Sequence, residues 1–190
     1  MRIHWPNCRD DRASQIVEFA VSLPLLVFFV VGIFDFSGAL SLKQKLTNAA
    51  REGARVAAAG PFSDLGSPPD TGAPASVSDA YQTVDNYLLS EKINDCGMAL
   101  GTSPTQTAGT LKWVSPTLSG CPGRTGLTLT IDRGCTTPQT SGQSSINVVN
   151  TCVTIVYPYS WRFTGVSGLF GVSFIPPISI TTTAVAFNEN

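Results

Sequence analysis

Histidine is nearly absent from this sequence: among 190 residues the single one is His4. Ser-His, Cys-His and two-histidine metal chemistries all need an imidazole beside the reacting centre. His4 lies ahead of an apolar stretch that separates it from everything downstream. No catalytic residue, cofactor-binding residue or metal ligand is therefore expected. Charge is sparse as well. Asp, Glu, Lys and Arg make up 13% of the chain, against roughly 25% in an average soluble domain. Twelve basic residues against 13 acidic ones leave a net charge of -1. Without a basic excess nothing tracks a phosphate backbone, so no nucleic acid is expected as a partner. Close cysteine pairs are missing too: Cys96, Cys121, Cys135 and Cys152 stand 25, 14 and 17 residues apart, and no C-x-x-C marks a zinc site. The Gly-rich stretches GVSGLFGVS and GTSPTQTAGT lack the lysine of a P-loop and do not form G-x-G-x-x-G. They read as turns, and no small-molecule substrate is expected.

What is present is apolar and unevenly placed. Phe19 to Phe34 (FAVSLPLLVFFVVGIF) is sixteen residues without a charge, and the apolar character continues through Phe36, Ala39 and Leu42. A membrane-spanning helix needs about 20 mostly apolar residues, and the segment from about 16 to 42 suffices, with Glu18 and Asp35 as its ionisable intruders. Pro24 is tolerable because neighbouring helices satisfy the freed carbonyl. Ser37-Gly38-Ala39 alternatively resembles the cleavage site of a secretory signal. Against that, the run exceeds a usual h-region of about 7–15 residues, Glu18 stands at its entrance, and a helical pattern continues beyond it. Arginines and lysines flank both ends, so the positive-inside rule leaves orientation open. The cysteines are more informative: Cys8 precedes the span alone and four follow it, which fits an oxidising exterior and a cytoplasmic N-terminus.

Along the chain, residues 1–13 (MRIHWPNCRDDRA) are short and polar. A helix is expected over 14–59, stopped by Gly60-Pro61. Ala50, Ala54 and Ala58 form a small-residue stripe, with Ala49 and Gly53 beside it; it permits close approach of another element or is simply Ala-rich. Residues 60–76 are Pro/Gly/Ser-rich and read as a loop. Ser76 and Asp79 resemble a capping start for a helix over 77–94, with Val77, Tyr81, Val84 and Leu88 at helical spacing. After Cys96 the period changes to two. Leu127, Leu129 and Ile131 alternate with Thr128, Thr130 and Asp132, and 146–159, 179–187 and a weaker 111–117 read as further strands. GCTTPQTSGQSS reads as a hairpin connection. The fold class is α+β: one long N-terminal helix, one short helix and about four antiparallel strands within a domain over 77–190.

Ala13-Ser14-Gln15-Ile16-Val17-Glu18-Phe19 joins a short polar leader to an apolar helix with glutamate at its fifth position. With IVEFAVSLPLL, GIFDFSGAL and LTNAAREGARVAA, it resembles a type IV prepilin, and more closely the TadE-like proteins of tight-adherence (Flp-type) pili. The resemblance covers residues 13–59; Ala13 stands where the family usually has glycine. It implies a minor pilin or pilus-assembly component with an exported pilin-like domain and a role in cell adhesion. Such a protein is held single-pass in the bacterial inner membrane, its N-terminus cytoplasmic, and trimmed by a prepilin peptidase between Ala13 and Ser14. The implied partners are membrane lipid, other pilins, the assembly machinery and that peptidase. A signal-anchored extracytoplasmic binding or sensor module outside any pilus is the alternative.

Glu18 is the most informative residue. An ionisable group near the membrane core costs about 2.5–3.5 kcal/mol on insertion scales, so it snorkels or has a partner. Cleavage after Ala13 would free the Ser14 α-amine, four residues away on the same helix face, to pair with Glu18 of the same or an adjacent subunit. Asp35 is a second intruder, read as a boundary residue or as facing a partner helix. Cys96, Cys121, Cys135 and Cys152 are read as disulfide partners, contributing roughly 2–4 kcal/mol per bond. Three pairings are possible, and closure of local loops favours Cys96–Cys121 with Cys135–Cys152. Trp113, Tyr157, Tyr159 and Trp161 are read as core and sheet packing, with a binding surface as the alternative.

Overall fold

The computed structural model describes residues 11–66, 73–98, 103–116, 118–121, 126–141, 144–162 and 178–189. The chain divides into two compact units. Among described residues, one holds 11–38 with Arg162, and the other holds 39–161 with 178–189.

Helix α1 runs Asp11–Ala59 with Pro24 inside it. In its second half the small-residue stripe is buried: Leu46, Ala49, Ala50, Ala54, Ala57 and Ala58 belong to the core. This spacing of three and four presents one narrow face, and small side chains on it let other backbones come close. A Cβ on Gly53 would stand 2.6 Å from Val84 Cγ2 and 3.8 Å from Val153 Cγ1. The stripe therefore packs on both a second helix and the sheet. Gly60 closes α1, its N–H bonding the Ala57 carbonyl at 3.3 Å.

The expected loop over 60–76 contains a 3-10 turn, Phe62–Gly66, and already includes the start of α2, Ala75–Ser90. Ser76 is not the N-cap. Pro74 occupies that position without a side-chain cap, and the acceptor comes from outside the helix: Asp64 Oδ2 takes the Ser76 N–H at 2.9 Å. Val77, Ala80, Tyr81, Val84 and Leu88 form the buried face. The helix ends four residues before the expected 94. Lys92 takes a left-handed φ of 56°, and Ile93 N–H reaches back to the Leu88 carbonyl at 2.9 Å while Lys92 N–H reaches Leu89 at 3.0 Å. Those two bonds are a Schellman closure, with Ile93 folding back towards the core.

Five antiparallel strands follow in simple meander order: β1 Thr105–Gln106, β2 Lys112–Val114, β3 Thr128–Ser141, β4 Ser144–Tyr159 and β5 Ile178–Phe187. The fold is thus α+β, with five strands in place of about four. Leu129, Ile131, Val153, Ile155, Tyr157, Ile180 and Ala184 point into the core. Thr130, Thr154 and Thr183 share one row of the opposite face, where the last two hydroxyls bond at 2.9 Å. On the core side Thr47 of α1 bonds Thr182 of β5, also at 2.9 Å. Trp113, Tyr157 and Tyr159 are buried and Trp161 packs partly against them, its ring edge-on to Tyr159 at 5.6 Å.

Most of GCTTPQTSGQSS is strand. A register shift between Asp132 and Cys135 kinks β3, which then continues beside β4 to Ser141. β2 pairs no further than Asp132, so among the described residues Pro138 falls on a stretch with an open edge, where a residue lacking N–H is tolerated.

Candidate functional site

The first unit offers a surface in place of a cleft. From Ile16 to Phe36 the large apolar side chains of α1 are exposed, Val31 excepted, among them Val21 at 72% and Phe29 at 61%. Burying each such side chain is worth about 1.5–3 kcal/mol, so the stretch represents on the order of tens of kcal/mol of unfavourable hydration. α1 is long and apolar enough to cross a membrane, and its most apolar window is entirely unburied. This supports a membrane anchor.

On that surface Ser14, Val17, Glu18, Val21, Ser22 and Leu25 line one shallow groove. Their three-and-four spacing puts them on one helix face, so Glu18 lies one turn from Ser14 with apolar side chains about it. Ser22 Oγ bonds back to the Phe19 carbonyl at 3.2 Å, which leaves Glu18 the ionisable group of the face. Ala13 lies in the opening turns of the same helix.

Residues 13–55 match the family model of TadE-like proteins.

The TadE-like segment takes in the Glu18 face, Pro24, Asp35 and the buried stripe through Ala54. Everything strand-forming lies beyond it. Nothing among curated proteins or solved structures matches the chain. Within the TadE-like segment Asp35 is buried and accepts the Arg162 backbone N–H at 2.9 Å. A carboxylate inside an apolar helix is thereby supplied with a donor.

The second unit holds both cysteine pairs. Cys96 is joined to Cys121 and Cys135 to Cys152, with Cα–Cα separations of 4.5 and 6.0 Å. The first pair is buried beside Asn94, Tyr157 and Met98; Tyr157 Oη donates to the Asn94 carbonyl at 3.0 Å. The second is half-buried on the sheet. Among the described residues no group of three His, Cys, Asp or Glu is placed to hold a metal.

Two polar clusters in this unit were not anticipated. Arg133 of β3 is fully buried. It donates from Nη2 to the Gly60 carbonyl at 2.8 Å and lies 5.0 Å from the centre of the Phe62 ring. Burial lowers its pKa, and the charge of Asp64 opposes that shift. The end of α1, the 3-10 turn, the start of α2 and β3 thus share one guanidinium and one carboxylate. Asp85 of α2 is the other case. Burial raises its pKa, and the charge of Asp95 together with a hydrogen bond between the two carboxyls raises it further. The Tyr157 hydroxyl is likewise pushed up, first by burial and then by Asp95. The Arg133 cluster ties elements together in the core, whereas Asp85 and Asp95 are half-buried at its margin.

Proposed function

We propose that this protein is a minor pilin or assembly component of a tight-adherence pilus and works by association, not catalysis. The observation that carries the reading is the exposed apolar face of α1 with Glu18 one turn from Ser14, inside the segment that matches TadE-like proteins. Hydration of that face is too unfavourable for a helix left in water, so α1 is held in lipid and then against the helices of neighbouring subunits. Residues 1–13 serve as a leader, cut by a prepilin peptidase after Ala13. The new Ser14 ammonium stands one turn from Glu18, and pairing the two, within a subunit or across to the next, lowers the cost of holding a carboxylate in hydrocarbon. The strand-rich unit then lies on the oxidising side of the inner membrane, a placement that the two disulfides support.

N-terminal sequencing of protein recovered from membranes tests this. A mature start at Ser14 in cells with the peptidase, reverting to Met1 without it, is expected. A start at Met1 in both supports the anchored sensor or binding module instead, and a start at Leu40 a released protein. Glu18→Gln and Glu18→Ala should leave membrane insertion intact while reducing co-purification with pilus machinery about tenfold or more, the loss of roughly 1.4 kcal/mol or more. Wild-type recovery of Glu18→Ala with the machinery would refute the pairing role.

A further inference from the structure

The two disulfides sit in contrasting surroundings. Cys96 and Cys121 are buried, at 1% and 7% exposure, with Met98, Tyr157 and Leu118 in the same core cluster. Cys135 and Cys152 are both only half-buried, and their bond lies where the sheet thins to two strands. β2 pairs with β3 as far as Asp132, and β5 pairs with β4 as far as Asn150. Past those points β3 and β4 continue together, from Thr136↔Val149 to Ser141↔Ser144. Among the described residues this ribbon has no third strand and little apolar support; Ile146 and Val149 are 60% and 48% exposed. A lone two-stranded ribbon is marginal in water. At its base three things fasten it: the Cys135–Cys152 bond; the buried Asn150 amide, which donates to Thr137 Oγ1 and, at 3.1 Å, to the Val148 carbonyl; and the Asn188 amide, which donates to the Val149 carbonyl at 3.1 Å.

We propose that Cys135–Cys152 is a thiol-exchange site, open to dithiol reductants while the protein stays folded, and that its reduction releases the paired ribbon strands 136–141 and 144–149. The co-reactant is a dithiol, either a small molecule or the paired cysteines of an extracytoplasmic oxidoreductase. One thiolate of the dithiol attacks a sulfur of the bond. The S–S electron pair departs on the other cysteine sulfur, which takes up a proton. The second thiol of the dithiol then attacks the mixed disulfide and frees the remaining cysteine. Two electrons and two protons pass to the protein, and the dithiol becomes a cyclic disulfide. The reduced state is accommodated locally, since the Cys135 sulfur lies 3.3 Å from the Asn150 carbonyl, which accepts a thiol proton. Exposure governs exchange rates because the attacking thiolate must reach the bond in line. Cys96–Cys121 becomes reachable only when the core opens.

The test is timed reduction of the full chain in detergent micelles with dithiothreitol, after Cys8 is blocked. Alkylation and peptide mass spectrometry follow each bond, and hydrogen exchange is read on the same samples. Cys135 and Cys152 should be alkylated at least about tenfold sooner than Cys96 and Cys121. Amide exchange should then rise across 136–141 and 144–149 while 153–157 stays protected. The variant Cys135→Ser/Cys152→Ser should reproduce that exchange pattern without reductant. Equal reduction rates for the two bonds, or a ribbon whose protection is unchanged after reduction, would overturn the proposal.

Discussion

At Gly53 α1 meets both α2 and the sheet closely, and replacing it with alanine sets two effects of known size against each other. In a helix interior alanine is favoured over glycine by about 1 kcal/mol. Here its methyl would lie 2.6 Å from Val84 Cγ2, as well as 3.6 Å from the Ala80 carbonyl oxygen and 3.8 Å from Val153 Cγ1. The last two are ordinary contacts; the first must open by about 1 Å to reach the attractive range. Val84 is fully buried, and a valine in a helix holds essentially one χ1 rotamer, so the helices themselves must part. Overpacking of this kind costs about 1–3 kcal/mol. Gly53→Ala should therefore destabilise by about 1 kcal/mol net, lowering the melting temperature by about 2–4 °C in a chain of this size. In a Val84→Ala background the obstructing methyl is gone and the same change should stabilise, by up to about 1 kcal/mol. Buried Trp113 supplies a fluorescence signal for thermal unfolding in detergent. A Gly53→Ala protein that melts above its parent, or an identical shift in both backgrounds, would refute the close-packing argument.

Asp64 caps α2 from outside, so Asp64→Ala should cost about 1 kcal/mol, the usual worth of a cap. Asp64→Asn, which keeps an acceptor for Ser76 N–H, should cost less; equal losses in denaturant titrations would argue against the capping role. Asp85 holds its proton to higher pH in the folded protein than in the unfolded chain. Its contribution is fully present below the ordinary value of 3.8 and is lost as pH rises through the elevated folded value, leaving repulsion with Asp95 at neutrality. Asp85→Asn should therefore raise the melting temperature at pH 7 and give no gain in strong acid. A gain that is constant with pH would show that ionisation of Asp85, disfavoured first by burial and then by Asp95, is not the cause.

The long helix, β4 and β5 were readable because each repeats one period over ten or more residues. What escaped has specific physical causes. Asp64 lies twelve residues from the amide it caps, and a cap supplied from another segment leaves no local signature. Ser76 and Asp79 imitate one. Ile93 extends the apolar spacing of α2, but Lys92 in a left-handed conformation turns it back as a closing contact. The alternation Leu129, Ile131 already places residue 133 inward; a guanidinium there reads as exposed because burial of charge is rare. Pro138 and the threonines around it read as a connection because ribbon strands carry no buried face to enforce alternation. Glu18, by contrast, stood out since one carboxylate interrupts an otherwise apolar helix. Its place beside Ser14 followed from helical spacing alone.

β5 carries a consequence for anyone handling the protein. It is the last strand of the sheet, and ISITTTAVAF contains no charge, no proline and no glycine. Natural sheets normally guard such a rim with lysines, prolines or bulges. Among the described residues β5 carries no such guard, so a charge placed on it by Thr183→Lys should lower rim-to-rim association in concentrated preparations.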